Sequence, residues 1–456
     1  MLVEEFARYA MQERHSNLRP SVVHHTKRAV IDWFAAFLPG SIIAPATLLE
    51  EALAEDLDRG RALLASGGRA TLRTAAMING TASHTVEFDD VYRDAGFHPG
   101  SPIISAALAA AQVHGATGED FMRAVIVGYE ISTRIGEAVM PSHYRYWHTT
   151  GTVGAFGAAA AVAMLAGCDR SQFAHALATV GTFASGLQQA FRSEANSKPF
   201  HSGHAAEVGA LAAITARHGV TGALDLLEGP AGFGAAMSED ADWSRATNDL
   251  GRDYRIERIT FKNHGCCGHN FAPIDGALHL QARYGFKAEE VNAVHVATYK
   301  AGTDIVDNAD PVGEYQAKFS LQYVLAHALV HGSVRLSAFT PERMRDPLVR
   351  ALLPKIRVSS DPEMSRHYPT QRAALIDIDT VGGSYRHKQE TRKGDPDMPL
   401  SDTELEHKYI ELAAPVIGDD QARTLLAMLW SLERAPNVEF DFSTKNATIA
   451  RRQHMA

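Results

Sequence analysis

Hydrophobic residues recur at intervals of three and four through most of the first 258 positions, the spacing that puts side chains on one face of a helix. Residues 21–38 show this spacing and are followed by Gly40, a helix-ending residue. Residues 103–114 and 152–166 are dense in alanine, the strongest helix former. Because alanine faces let helices approach closely, we expect these two segments deep in a helical bundle or at a subunit interface.

The pattern changes near residue 258, where runs rich in β-branched residues with partial alternation begin and predict strands. The predicted strands are residues 291–299, 374–379 and, after a Gly-Gly turn, 384–390, with helices predicted at 315–330 and 341–353. Ser401 and Glu404 then form a capping box ahead of an apolar helix face. The predicted fold class is therefore mainly α, with a smaller α+β part inserted into a helical domain. The predicted domains are 1–258 and 395–456 for the helical part, and 259–394 for the α+β part.

Composition excludes several classes of function. The chain has 44 basic and 53 acidic residues and a net charge of −9, the opposite sign from a typical nucleic-acid-binding protein. An anionic substrate would therefore need a local cluster of Lys, Arg and His. The three cysteines, Cys168, Cys266 and Cys267, form no disulfide framework and fit a reducing compartment. The first residues lack an apolar signal core, and the most apolar stretch is too short to span a membrane, so we expect a cytoplasmic protein.

Ionisable residues gather with Gly and Pro in residues 79–100, NGTASHTVEFDDVYRDAGFHPG. Among them are His84, Asp89, Asp90 and His98. An acidic helix end followed by a loop explains them as well as a functional site does. No His pair at i, i+4 accompanies the acids, so the spacing does not favour a metal site.

Two further segments suit an anionic ligand. His148 comes just before an apolar helix whose candidate caps are Thr149 and Thr150, and a helix N-terminus attracts carboxylates. Residues 190–210 form a cationic loop that also precedes a helix. Its basic residues are Arg192, Lys198, His201 and His204. A packing turn and a solvated basic loop are the alternatives.

The predicted domain junction carries H-x-C-C-x-H, from His264 to His269, preceded by Lys262. Adjacent cysteines chelate one ion poorly, so a reactive loop around Cys267 is favoured over a zinc site. Tyr323, on the predicted helix 315–330, is a candidate acid or base. No P-loop, dinucleotide-binding glycine pattern or G-x-S-x-G elbow occurs, which indicates cofactor-free chemistry on a small anion.

In this order the motifs resemble the MmgE/PrpD family, which includes 2-methylcitrate dehydratase, cis-aconitate decarboxylase and iminodisuccinate epimerase. The resemblance rests on NGTASHTVEFDD with HPG, WHTTGTVGAFGAAAA, SKPFHSGHAAEVGALAA, ITFKNHGCCGH and KFSLQYVLAHAL. It implies an all-helical domain formed by both chain ends, an inserted α+β lid-like domain, a homodimer and no organic cofactor. It also implies that the motif residues gather in a cleft between the domains. Those residues are His98, His148, Lys198, Lys262 and Tyr323.

This chain departs from the family pattern at several places, among them Val91, which replaces a common threonine. The usual L-D-F-D-D reads Val-Glu-Phe-Asp-Asp, which puts Glu87 where an aspartate is common. Cys267 replaces the histidine that decarboxylase-like members carry five residues after the junction lysine, and Gly265 replaces a proline. These differences argue against assigning cis-aconitate decarboxylation directly.

The resemblance predicts removal of a proton beside a carboxylate, which needs a positioned base and nearby cations. We expect His98 and His148 to transfer protons, Lys198, Lys262 and Arg192 to hold carboxylates, and Tyr323 and Cys267 to donate a proton. Asp89, Asp90, His201 and His269 are expected substrate contacts. A dehydratase of the 2-methylcitrate or citrate type is the first expectation. A two-base epimerase and a non-catalytic polycarboxylate-binding homologue are the alternatives.

Overall fold

The computed structural model describes residues 1–193, 195–368 and 370–444. The chain forms two compact units, one built from residues 1–260 with the segment that begins at Ser401, and one from residues 261–400. The first unit is helical and the second is α+β, which is the predicted fold class. The domain boundaries predicted from the sequence lie after residues 258 and 394, and the boundaries of the compact units lie after residues 260 and 400.

The N-terminal part of the first unit consists mainly of helices. They are α1 (Leu2–Glu13), α2 (Pro20–Gly40), α3 (Ala46–Ala52), α4 (Leu72–Thr85), α5 (Gly100–His114), α6 (Gly118–Val139), α7 (Thr149–Leu165), α8 (Arg170–Val180), α9 (Phe200–Arg217) and α10 (Phe233–Met237). The predicted helices 21–38, 103–114 and 152–166 correspond to α2, α5 and α7. One short hairpin, β1 (Leu57–Leu63) with β2 (Arg69–Ala70), interrupts this part, so the unit is not purely helical.

Helix α7 forms the centre of the helical unit, as its alanine content predicts. Residues 149–164 are all buried, and the helix packs against α5, α6, α8 and α9. Small side chains permit this close packing. A Cβ atom on Gly209 of α9 would lie 2.6 Å from Ala158 Cβ and 2.7 Å from the Ala159 nitrogen, so α9 needs glycine there.

The second unit packs helices on a four-stranded sheet. Its helices are α11 (Phe271–Tyr284), α12 (Lys300–Val306), α13 (Glu314–Lys318), α14 (Leu321–His331), α15 (Pro341–Met344), α16 (Pro347–Leu352) and α17 (Pro362–His367). Its strands are β3 (Val291–Thr298), β4 (Ile356–Ser360), β5 (Ala374–Thr380) and β6 (Gly383–Gln389), in the order β4-β3-β5-β6. Strands β3 and β4 run parallel, and the other neighbouring pairs run antiparallel.

The three predicted strands are present as β3, β5 and β6, whereas β4 had not been predicted. Both predicted helices of this unit are divided. The first separates into α13 and α14 because the Ser320 side chain caps α14 by accepting a hydrogen bond from the Tyr323 nitrogen. The second separates into α15 and α16 because Asp346 caps α16 in the same way.

The chain returns to the helical unit with α18 (Asp402–Ile417) and α19 (Asp419–Trp430). The predicted capping box is present, since Ser401 Oγ accepts from the Glu404 nitrogen at 3.2 Å and Glu404 Oε2 accepts from the Ser401 nitrogen at 2.7 Å. Helix α18 packs against α2. Within the described residues, the apolar length of each helix falls short of what a bilayer crossing requires.

A buried ion pair joins these two helices. Lys408 Nζ of α18 lies 2.6 Å from Asp32 Oδ1 of α2 and also donates to the Phe88 carbonyl oxygen at 2.9 Å. Its ammonium group lies 4.4 Å from the centroid of the Phe88 ring. Both charged side chains are almost fully shielded from solvent. One contact therefore links α2, α18 and the loop after α4.

Replacing Lys408 with methionine is expected to lower the free energy of unfolding by about 3–5 kcal/mol, because it leaves the Asp32 carboxylate buried without its cation. Arg423→Met is the matched control, since it removes a cation from an exposed pair with Asp419 on α19. Urea unfolding followed by circular dichroism measures both variants. Equal unfolding midpoints for the two variants would contradict the stabilising role of the pair between Lys408 and Asp32.

Candidate functional site

Four histidines meet where several helices of the first unit begin or end. His84 lies in the last turn of α4, His98 just precedes α5, His148 is the residue before α7, and His201 lies in the first turn of α9. The His84 ring centroid is 4.9 Å from that of His98 and 5.5 Å from that of His148, and the His148 and His201 centroids are 5.3 Å apart. The N-termini of α5, α7 and α9 are thus close to one cluster, a setting that favours anions. We call these four residues the imidazole cluster.

Asp89 connects two rings of the imidazole cluster. Its Oδ2 atom lies 2.7 Å from His84 Nδ1 and 3.3 Å from His98 Nδ1, and it accepts a hydrogen bond from Ser101 Oγ at 2.7 Å. Burial alone would raise the pKa of the Asp89 carboxyl, but the facing imidazoles outweigh burial and hold this pKa well below its usual range. Asp89 is therefore a carboxylate that accepts hydrogen bonds and orients His84 and His98.

The other two rings of the cluster contact each other. His148 Nδ1 and His201 Nδ1 are 3.0 Å apart, so one ring donates and the other accepts. Burial, with further contributions from neighbouring cationic groups, lowers the pKa of His148 well below its usual value and that of His201 to about 4. Both rings are therefore neutral near pH 7 and can accept a proton.

A partly buried ion pair lies beside the cluster, between Lys198 and Glu87. Burial by itself lowers the pKa of Lys198, but the Glu87 carboxylate more than compensates and the pKa is raised. Glu87 has a φ of 59°, in the left-handed region that residues other than glycine seldom adopt. Lys198, predicted to hold a substrate carboxylate, thus already faces an internal one.

The neighbouring Asp90, predicted to contact substrate, makes its described hydrogen bonds within the protein. Its Oδ1 accepts from the Gly100 nitrogen at 2.9 Å, and its Oδ2 accepts from Tyr129 Oη at 2.8 Å. A Cβ atom on Gly100 would lie 2.9 Å from Asp90 Oδ1 and 3.0 Å from the Tyr129 hydroxyl, so only glycine fits at the start of α5. Asp90 therefore positions the N-terminus of α5, and with it His98.

One further prediction about this region, that of the α7 caps, needs correction. Thr149 and Thr150 do not cap α7 with their side chains. Thr150 Oγ1 instead accepts a hydrogen bond from the His98 nitrogen at 3.2 Å and so ties α7 to the residue before α5. Arg192, predicted to hold a carboxylate, is exposed and donates a hydrogen bond to the Arg145 carbonyl oxygen at 3.4 Å.

The remaining predicted residues belong to the second unit. Lys262 is buried, Cys267 is half-buried, and His269 Nδ1 lies 2.6 Å from Tyr299 Oη. Burial and two nearby arginines lower the pKa of His269 to about 3, so this ring is a neutral hydrogen-bonding partner.

The ligand atoms of the H-x-C-C-x-H segment have different partners. His264 Nε2 lies 2.9 Å from Asp275 Oδ1, and Cys266 packs in the apolar core of the unit, where burial raises the pKa of its thiol. His269, as described, faces Tyr299. This arrangement supports the judgement that the segment is a poor zinc site.

Tyr323, predicted to donate a proton, lies in the apolar core of the second unit. Its side chain is fully shielded from solvent, and its hydroxyl donates to the Ala338 carbonyl oxygen. Burial raises the pKa of Tyr323 to about 12. These contacts describe a packing residue, and they do not support the predicted proton-donor role.

His84 was noted in the sequence as one of the ionisable residues of 79–100, but it was given no role in the site. One ligand-type atom from each of His84, Asp89 and His98 lies within 4.8 Å of the others. Their sequence spacings of five and nine match no standard ligand motif, which is why the sequence did not favour a metal there. The available signal was the occurrence of His84 and Asp89 in one short segment that contains the end of a helix.

Comparison with known proteins agrees with this architecture. The profile of the MmgE/PrpD N-terminal domain matches residues 4–246, and that of the MmgE/PrpD C-terminal domain matches residues 264–434. A cis-aconitate decarboxylase-like protein of Aspergillus oryzae is 24% identical, with 95% of each chain covered. The cis-aconitate decarboxylase of Mus musculus is 26% identical over 79% of this chain and 75% of its own. A mitochondrial 2-methylcitrate dehydratase of Yarrowia lipolytica is 24% identical over 25% of each chain.

The lowered pKa of Asp89 predicts an acid-sensitive contribution to stability. The carboxyl has its usual pKa near 3.9 when unfolded and a lower one when folded, so its contribution is present above about pH 4 and is lost as the pH falls through the folded value. Asp89→Asn should therefore flatten the dependence of unfolding free energy on pH below 4, by up to about 1.4 kcal/mol per pH unit. Urea titrations at pH 5, 4 and 3 measure the slope.

Asp304→Asn is the control for this prediction, since it removes an exposed carboxylate that pairs with Lys300 on the surface. Identical acid slopes for Asp89→Asn and the wild type would show that Asp89 does not ionise as described.

Proposed function

The chain belongs to the MmgE/PrpD family, and from that premise we propose that it is a lyase that removes a proton beside a carboxylate of a small di- or tricarboxylic acid. The reaction proposed first is loss of a β-hydroxyl group as water, as in a dehydratase of the 2-methylcitrate or citrate type. Side chains carry out this chemistry without an organic cofactor.

The observation that supports this proposal is the contact between Asp89 and His98. A proton held on His98 Nδ1 by the carboxylate leaves the lone pair on Nε2, which makes the ring a base of fixed orientation. A hydrogen beside a carboxylate is only weakly acidic, so its removal depends on a base that is already aligned. Asp89 supplies that alignment from a buried position.

We assign to His148, whose ring is neutral near pH 7 and touches His201, the relay of the proton taken from carbon to the departing hydroxyl, so that the hydroxyl leaves as water and both His98 and His148 return to the neutral state. Proton removal leaves negative charge on the substrate, and the nearby N-termini of α5, α7 and α9 stabilise such charge. Lys198 adds a cation once a substrate carboxylate competes with Glu87 for it. For Lys262 and Cys267 of the second unit, the roles stay predictions from the sequence, namely holding a carboxylate and donating a proton.

Decarboxylation is the second candidate. It is favoured by the matches to a decarboxylase-like protein over 95% of the chain and to a cis-aconitate decarboxylase over 79%. The reaction would lose CO2 and protonate a neighbouring carbon, so it would use the same proton-transfer groups. Cys267, which stands where decarboxylase-like members have histidine, argues against assigning decarboxylation directly.

Proton NMR in heavy water with a panel of acids separates the candidates. The panel holds citrate, 2-methylcitrate, malate, iminodisuccinate and 13C-labelled cis-aconitate. New vinyl signals from a hydroxy acid are expected for a dehydratase, and labelled bicarbonate from cis-aconitate would identify a decarboxylase. Deuterium entering an α-carbon without an alkene would identify an epimerase. No change in any compound would contradict the lyase proposal for this panel.

On the substrate so identified, His98→Gln is expected to lower kcat by about 10²–10⁴-fold, because the glutamine side chain cannot accept the proton. The far-ultraviolet spectrum and melting temperature should stay near those of the wild type, since the His98 side chain is partly exposed. His114→Gln is the matched control, since His114 is the last residue of α5 and lies at the end opposite His98, and this variant should keep full activity. Near-normal turnover by His98→Gln would refute the role of His98 as the base.

A further inference from the structure

The contacts of Asp89 resemble a ligand set for a transition-metal ion. Its Oδ2 atom is approached by two imidazole nitrogens, His84 Nδ1 at 2.7 Å and His98 Nδ1 at 3.3 Å. Ligand atoms around an ion with bonds of about 2.0–2.1 Å are roughly 3.0–3.4 Å apart. The two distances to Asp89 are close to that spacing, and all three ligand atoms lie within 4.8 Å of one another, so the side chains would draw together to surround an ion.

The chemistry of the three side chains also fits such an ion. Two imidazoles with one carboxylate suit Zn²⁺ and its neighbours in the first transition series, whereas Mg²⁺ and Ca²⁺ prefer oxygen ligands throughout. His84 and Asp89 are almost fully buried, and His98 is partly exposed, which leaves the cluster open to solvent on one side. Ser101 Oγ donates to the same carboxylate oxygen and would hold it in place as an outer partner.

The protons can rearrange to admit an ion at little cost. A metal at Nδ1 of each ring moves the ring proton to Nε2, so the imidazoles stay neutral. Among the described residues, His84 Nε2 is buried and has no hydrogen-bond partner. Moving the proton to that nitrogen gives up the hydrogen bond to Asp89, which bonds to the ion would replace, and displaces no other partner.

We propose that His84, Asp89 and His98 bind one divalent transition-metal ion of the Zn²⁺ type, and that this ion inhibits proton transfer at His98. The inhibitory part rests on the proposed function. An ion on His98 Nδ1 leaves a proton on Nε2, and a protonated Nε2 cannot accept another proton from substrate. Metal binding and the basic state of His98 therefore exclude each other.

The first test measures binding without any substrate. Protein treated with a chelator and dialysed at pH 7 is titrated with Zn²⁺ by calorimetry, and one tight site per chain is expected. His84→Gln and His98→Gln should each weaken that site by at least about 10-fold, because each removes a direct ligand. The His98 variant keeps the test decisive if the buried His84 variant does not fold.

A matched control variant removes an imidazole elsewhere. His279 stacks on His387 at a centroid distance of 4.3 Å in the second unit, so His279→Gln tests for binding by another histidine pair. The tight site should be unaffected by this change. Absence of a tight site, or equal affinity in the wild type and both cluster variants, would overturn the proposal.

Titration with Co²⁺ identifies the ligand type. Ligation by nitrogen and oxygen gives visible absorption bands without a thiolate-to-cobalt charge-transfer band. A charge-transfer band that disappears in Cys267→Ser would assign the ion to the cysteine loop and overturn the proposed location.

The second test uses the substrate found by NMR. Zn²⁺ at its measured dissociation constant should halve turnover, and excess chelator should restore it. Binding of Zn²⁺ with unchanged turnover would overturn the inhibitory part and leave the metal site standing. If the acid panel gives no reaction, calorimetry and Co²⁺ absorption still decide the binding part, so failure of the proposed function is distinguishable from failure of this inference.

Discussion

The ion pair between Lys408 and Asp32 is the contact on which the site of the first unit depends. A charge buried this deeply must find its partner, because desolvation costs several kcal/mol per ion. Lys408 also donates to the carbonyl of Phe88, the residue between Glu87 and Asp89. The requirement to pair one ammonium group therefore fixes the backbone that presents both carboxylates to the site.

Asp89 and Asp90 are adjacent in that loop, but they contact different parts of the site. Asp89 contacts the imidazoles of His84 and His98, whereas Asp90 holds the first turn of the helix that His98 precedes. The two carboxylates thus control the orientation and the position of one ring separately.

Much of the fold could be predicted from the sequence because it depends on local periodicity. Helix α7 is identified by its alanine content, and strands β5 and β6 by alternation on either side of a Gly-Gly turn. Strand β4, with the sequence IRVSS, is short and only weakly patterned, and it joins the sheet through parallel pairing with β3. This pairing joins segments far apart in the chain, so the local sequence of β4 does not indicate it.

The site was predictable in its residue types and less so in its contacts. His98, His148, Lys198 and Asp89 were named from motifs, and the structure brings them to neighbouring helix ends. The role of Asp90 depends on the close approach of Gly100 and Tyr129, and spacing along the chain does not reveal such an approach. Tyr323 lies on an apolar helix, where the burial of its hydroxyl depends on the position of Ala338.

The discontinuity of the helical unit has a consequence for how the protein is made. Asp32 leaves the ribosome early in synthesis, and its cation follows only after the whole second unit, residues 261–400, has been translated. Until then the loop that carries Glu87 and Asp89 lacks the ammonium group that holds the Phe88 carbonyl. The nascent chain can complete the second unit first, since its residues are contiguous. Ordering of the histidine-bearing helix ends is therefore expected as a late event, after α18 has emerged.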